Sequence, residues 1–275
     1  MPVTPAGSER ENKVLLQARC SLKKKSKGYS VLELGFANVR VVCHPVFHPL
    51  PAEMQQNIEL YWNRIRNRKH LFNGLLLRLD SWSVDANTLL LNTSITDYRT
   101  LMYTNSHARL IAENWGINCF ARALGISALV VCRDQFMVLM RRSNQVGEYR
   151  NCIDVFGGHV GMDEKSINLD IRQAMFKELE EELGLLPDDV NLTSSGLIQC
   201  NAHSKPELLF TASTSLSVRE IIDKSNRARD RFEYTSIVII PADDCTLAGF
   251  LRVNTRLTSP SAYGSLELFI QQKYI

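Results

Sequence analysis

Apolar and polar positions change their spacing several times along the 275 residues, and each change marks an element. Tyr29–Leu34 and Val39–His44 alternate in character and are rich in valine, which predicts two strands. Pro45 to Pro51 breaks the pattern. Ala52–Lys69 then sets Ile58, Tyr61, Trp62 and Ile65 at helical spacing. Leu75–Val84 and Thr88–Asn92 read as paired strands, and Ser106–Asn114 as a helix ended by Gly116. Ala123–Cys132 and Gln135–Arg142 are apolar strands joined by the tight turn Arg133-Asp134, and Cys152–Phe156 is a short strand running into Gly157-Gly158.

After an acidic helix come strands over Ser195–Ala202 and Glu207–Leu216, a short helix over Val218–Lys224 and a strand over Tyr234–Ile240. An amphipathic helix over Ser261–Lys273 closes the chain. Strands on both sides of a central helix predict an α/β fold with a mixed sheet covered on both faces. The change of pattern near residue 117 divides the chain into an N-terminal α+β domain, 1–117, and a second domain, 118–275.

Composition narrows the function classes. The chain is 45% hydrophobic and 22% charged, with a net charge of +3. Those values are ordinary for a globular protein and too weakly basic to imply nucleic acid. The run LKKKSK at 22–27 reads as a solvated turn. The first residues lack the apolar stretch of a secretory leader, and no apolar run reaches membrane-spanning length. Seven cysteines without a CxxC pair suggest reduced thiols, and so the cytosol or the nucleus.

The candidate chemistry lies between Phe156 and Leu185. Glu178, Glu181 and Glu182 fall within one sector of a helical wheel, beside the apolar face of Phe176, Leu179 and Leu183, whereas Glu180 points elsewhere. They stand just before Gly184, at the helix end that carries partial negative charge, where each acid costs about 0.3–1 kcal/mol. Like charges at i,i+3 and i,i+4 add roughly 0.2–0.5 kcal/mol per pair. Accepting both costs suggests a bound cation. Oxygen donors favour Mg²⁺ or Mn²⁺ over zinc, and such an ion commonly shares its shell with phosphates. A solvated acidic helix is the plainer reading of these glutamates taken alone, but the Gly157-Gly158 turn upstream, which brings backbone close to a ligand, weighs against it.

Read as a unit, Gly158-x5-Glu164 and then Lys177-Glu178-Leu179-x-Glu181-Glu182-x-Gly184-Leu185 resembles the Nudix signature. The resemblance implies an α/β/α sandwich with a mixed sheet and a hydrolase of nucleoside diphosphates linked to another group. It implies Glu178, Glu181 and Glu182 as cation ligands, aided by the Gly157 carbonyl, with Glu164 in support at the helix entrance. The sequence departs from the signature in two places. Twelve residues, not seven, separate Glu164 from Lys177, and Lys177 replaces an arginine, keeping its charge without its planar fork. Phe156 also stands where many members have proline.

Thr96-Asp97-Tyr98-Arg99, Tyr103-Thr104-Asn105, Gly125, Arg141-Arg142-Ser143-x-Gln145-Val146 and Asp154–His159 are similar to an animal Nudix subgroup. That subgroup acts on UDP-glucose and UDP-galactose, yielding UMP and the sugar 1-phosphate. The implied partner is therefore a small nucleotide sugar, with neither nucleic acid nor membrane. Other nucleoside diphosphate derivatives (ADP-ribose, dinucleotide polyphosphates, coenzyme A) remain open. So does a binding module with little catalysis, the reading that Lys177 and the long spacer favour.

Several further residues are candidates. Arg141 and Arg142 close a strand, so one should face the site and the other solvent. Arg142 matches by position a phosphate-contacting arginine of some Nudix relatives. Tyr98, Arg99, Thr104 and Asn105 form a polar cluster suited to nucleotide or sugar contact across a domain interface, or to capping a helix. Glu207 and Glu233 stand at strand ends, where the family often keeps a catalytic carboxylate and where solvation alone would also place them. His159 suits a hydrogen bond to phosphate, or turn packing. Trp62 and Phe72 read as interdomain core.

Overall fold

The computed structural model describes residues 28–69, 71–162 and 169–272. The basic run at 22–27, Cys20 and Glu164 lie outside them. The large sheet is ordered β1 (Tyr29–Glu33), β9 (Val190–Cys200), β10 (Pro206–Thr214), β5 (Gly125–Val131), β6 (Phe136–Arg142) and β11 (Tyr234–Pro241). Short β7 (Ile153–Asp154) pairs with β6, and β8 (Phe156–His159) pairs with β5. Only β10 and β5 run parallel along the main path. A second sheet holds β2 (Asn38–Phe47), β4 (Thr88–Asp97) and β3 (Leu75–Asp85).

The two-residue period of the strands builds two layers of core. Ile126, Ala128 and Val130 of β5, with Leu208 and Phe210 of β10, face Met175, Leu179 and Leu183 of the Ile171–Leu183 helix. Leu129 and Leu209 point the other way, onto the Asp244–Asn254 and Pro260–Gln272 helices through Leu247, Leu251, Ala262 and Leu266. β5 and β10, buried on both sides, read as continuous apolar runs for that reason. The result is the expected α/β/α arrangement with a mixed sheet.

The N-terminal strands share this core. Leu77 and Leu79 of β3 and Leu89 and Leu91 of β4 join the cluster around Leu179. Backbone hydrogen bonds run from Leu77 N to Val160 O and from Leu124 N to Leu77 O, at 3.0 and 2.8 Å. β1 belongs to the large sheet, with Tyr29 opposite Cys200. Residue 117 falls in a short 3-10 turn, Ile117–Cys119, and the apolar core continues past it. Trp62 is buried, edge-on to Tyr98, whereas Phe72 is 85% exposed, because it lies in the connection before β3 and not under it. The Asp244–Asn254 helix, capped by Asp243, was absent from the sequence expectation. No helix among the described residues is long and apolar enough to cross a membrane.

Candidate active site

The Ile171–Leu183 helix starts where Asp170 accepts hydrogen bonds from the Arg172 and Gln173 amides. It ends at Gly184, whose left-handed φ of 69° lets its amide reach the Glu180 carbonyl at 2.9 Å while the Leu185 amide reaches Leu179. The apolar stripe docks on β5 and β10, which turns the neighbouring glutamates toward β8. Glu182, only 2% exposed, accepts a hydrogen bond from the Gly157 amide at 2.7 Å. Its other oxygen, Oε1, is buried with no partner. Tyr234 donates to the Glu182 carbonyl at 3.0 Å, fixing the helix end.

Position 157 tolerates only glycine. Its φ is +148°, and a Cβ there would lie 2.1 Å from the Ile126 carbonyl oxygen. At Gly158 a Cβ would come within 2.7 Å of the Glu178 carboxylate. The glycine pair thus lets two helix carboxylates close onto the backbone of β8.

These acids repel one another. Burial, then Glu181 and Glu233, raises the Glu178 carboxyl to about 7. Burial, Glu233 and Glu178 push Glu182 well above the usual carboxylate range. Glu233 is raised as well, by burial and then by Asp230 and Glu181 against the pull of Arg142. Glu181 is turned to cations instead, with Arg229 Nη2 at 2.6 Å and Lys177 Nζ at 3.8 Å. Among the described residues, no trio of His, Cys, Asp or Glu is preassembled around an ion position. The donor set nevertheless fits a hard divalent cation: all oxygen, over-charged, and with Glu182 Oε1 unpaired.

A cleft of about 430 Å³ lies against these groups. Glu178, Glu181, Glu233, Arg142, Tyr98 and His159 line it, together with Gly157 and Glu207. Arg142 hydrogen bonds the Glu148 carbonyl at 3.2 Å and pairs with Asp154 at 3.4 Å. Burial alone would lower its pKa, but Asp154, Glu182, Glu233 and Glu148 raise it, so it stays charged. Glu207 is occupied, accepting from Ser127 Oγ and lying 3.4 Å from Lys205 Nζ.

Other candidates fall elsewhere. Arg141 alternates away from the cleft and donates to the Asn151 carbonyl. The polar cluster of Tyr98, Arg99, Thr104 and Asn105 lies on a helix, Tyr98–Ser106, capped by Asp97, whose side chain accepts from the Thr100 amide. That helical period buries Thr104, which bonds the Leu101 carbonyl and receives the Ala121 amide. Arg99 is directed outward to Asp97 and Glu59. Asn105 is not a cleft-lining residue; it donates to Glu148 Oε1 from behind.

Four charged cleft residues were not among the candidate site residues of the sequence: Glu148, Asp154, Lys205 and Asp230. Glu148 and Lys205 are ion-paired at 3.3 Å across 57 positions. Lys205 stands just before the apolar strand β10, and only the fold shows that it is buried, where a lysine needs a partner.

No family model matches the chain. It is 32% identical over 136 residues to the uridine diphosphate glucose pyrophosphatase NUDT22 of Bos taurus, covering 44% of this chain and 47% of that protein. It is 31% identical over 158 residues to the protein of that name in Mus musculus, covering 53% and 49%. Nudix hydrolase 9 of Arabidopsis thaliana is 24% identical over 227 residues, covering 70% of this chain and 73% of the plant protein. The chain thus spans about half the length of the first two relatives. The resemblance to Nudix hydrolases, with similarity to the animal UDP-glucose subgroup, holds in these comparisons.

Proposed function

We propose that this chain hydrolyses the diphosphate of a nucleotide sugar, UDP-glucose or UDP-galactose, to UMP and the sugar 1-phosphate, with Mg²⁺ or Mn²⁺ as cofactor. The observation that carries the reading is the convergence of Glu178, Glu182 and Glu233 beside Gly157-Gly158 and Arg142. All three acids are driven toward their protonated forms by burial and mutual repulsion. The similarity to proteins named UDP-glucose pyrophosphatase supports the substrate class.

Glu178, Glu181, Glu182 and the Gly157 carbonyl would hold the cation, with Glu164 as a further candidate. When bound, such an ion neutralises phosphate oxygens and acidifies water. The protein's own share is positioning. Arg142 is already fixed by the Glu148 carbonyl and Asp154, and offers a guanidinium to phosphate oxygens without reordering. Glu233 lines the cleft, and burial beside Asp230 and Glu181 raises its proton affinity, which suits its carboxylate to accept a proton from the attacking water. Glu207 is a poor base, because Lys205 and Ser127 already use it.

A second reading, a nucleotide-sugar-binding module, rests on Glu181 being engaged by Arg229 and Lys177. Assaying a panel of nucleotide diphosphates with Mg²⁺ separates the two. Turnover of UDP-sugars that disappears in Glu182→Gln supports the hydrolase. Calorimetric binding of every ligand without product supports the module.

A further inference from the structure

Beyond Arg142 from the acidic helix, the cleft is lined by a second charged group of different character. Lys205 Nζ lies 3.3 Å from Glu148 Oε2 and 3.4 Å from Glu207 Oε2. The remaining carboxylate oxygens are held by neighbours, Glu148 Oε1 by Asn105 and Glu207 Oε1 by Ser127. His159 adds Nε2, 3.4 Å from Glu148 Oε2. All of these side chains except Asn105 line the same cleft as Glu178 and Arg142. The charges that act on Glu178 are Glu181, Glu233, Lys177 and Asp230, whereas those on Lys205 are Glu148, Glu207 and Asp154. Arg142 feels acids of both groups, from Glu182 and Glu233 to Glu148, and so stands between them.

The local charge of one ammonium and two carboxylates is net negative, which repels phosphate. An ammonium has three N–H donors; one is given to Glu148 and Glu207 is ion-paired beside it, which leaves donor capacity for a ligand. Each carboxylate has spare lone pairs for a further donor. A ligand group that both accepts and donates matches this set, and a hydroxyl does both.

We propose that Lys205, Glu148 and Glu207 form a diol-reading subsite, in which one ligand hydroxyl accepts from Lys205 Nζ while it and its neighbour donate to the glutamates. Asn105 and Ser127 are positioning residues for it. This inference rests on the nucleotide-sugar reading above, and it deepens that reading by locating recognition of vicinal hydroxyls. Such hydroxyls occur on the hexose and on the ribose.

Three compounds distinguish the sources in the presence of Mg²⁺: UDP-glucose, the methyl ester of UDP, which lacks the hexose, and 2′-deoxy-UDP-glucose, which lacks the ribose diol. Wild-type kcat/KM should fall about tenfold to a hundredfold for whichever compound lacks the recognised diol, the range expected for hydrogen bonds to charged groups. In Glu148→Gln and Glu207→Gln that gap should shrink at least about tenfold. Should either variant fail to fold, Ser127→Ala, which removes the hydroxyl that orients Glu207 Oε1, should narrow the same gap. Equal wild-type treatment of all three compounds overturns the proposal, as does a uniform loss in the variants. If the wild type turns over none of them, the hydrolase reading fails. Calorimetric affinities for the same three compounds then decide the subsite by the same ratios.

Discussion

The Gly157 amide hydrogen bonds Glu182 Oε2 at 2.7 Å, joining the glycine turn of β8 to the last turn of the acidic helix. That bond satisfies one carboxylate oxygen and leaves Oε1 buried and unpaired. A buried, half-satisfied carboxyl group costs the metal-free fold stability, as expected where a site is built for a ligand. Glu182→Gln keeps the acceptor for Gly157 and removes the charge. Its metal-free melting temperature should be equal to or above wild type, while kcat falls by a factor on the order of 10² or more. A matched loss of stability and activity would mean that Glu182 is merely structural.

A Cβ at position 147 would lie 2.2 Å from Tyr98 Oη. Gly147→Ala should therefore displace the tyrosine from the cleft and raise KM several-fold. Tyr98→Phe, which removes the hydroxyl, should restore part of that loss in the double variant. Additive effects would mean that the two residues do not meet.

Stability should depend on pH in a cation-sensitive way. The Glu178 carboxyl is raised from 4.5 to about 7 in the folded, metal-free protein, and Glu182 and Glu233 shift the same way. Between those pH values the folded state keeps a proton that the unfolded chain has released, so their contribution to stability declines as pH rises through the window. Mg²⁺ should raise the melting temperature more at pH 7.5 than at pH 5, and Glu178→Gln should flatten the metal-free profile. A wild-type profile unaffected by Glu178→Gln would contradict the assignment.

Arg229 holds Glu181 at 2.6 Å from a side chain that is 66% exposed. It competes with a cation for that carboxylate. Arg229→Ala should lower the Mg²⁺ concentration for half-maximal activity a few-fold, read by titrating the metal at saturating substrate. A rise instead would show that Arg229 assists binding or catalysis.

The parts of the site that lie on one regular element were legible in the sequence. Helical spacing put Glu178, Glu181 and Glu182 on one sector, Gly184 marked the stop, and strand alternation separated Arg142 from Arg141. What failed depended on chain segments meeting. The Lys205–Glu148 pair joins the connection before β10 to the loop that follows β6, and nothing local to Glu148 announces it. Thr104 and Arg99 were misplaced because Asp97 caps a helix one segment earlier than the apolar pattern suggested. The pairing of β1 with β9 was equally invisible, since Tyr29–Glu33 alternates in the same way whichever sheet it joins.

The most direct test is ³¹P NMR of UDP-glucose incubated with the protein and Mg²⁺. UMP and glucose 1-phosphate should appear, and neither should form after chelation or with Glu182→Gln. Release of UDP with free glucose, or no turnover in a protein that demonstrably binds Mg²⁺ and UDP-glucose, would contradict the assignment of this cleft to diphosphate hydrolysis.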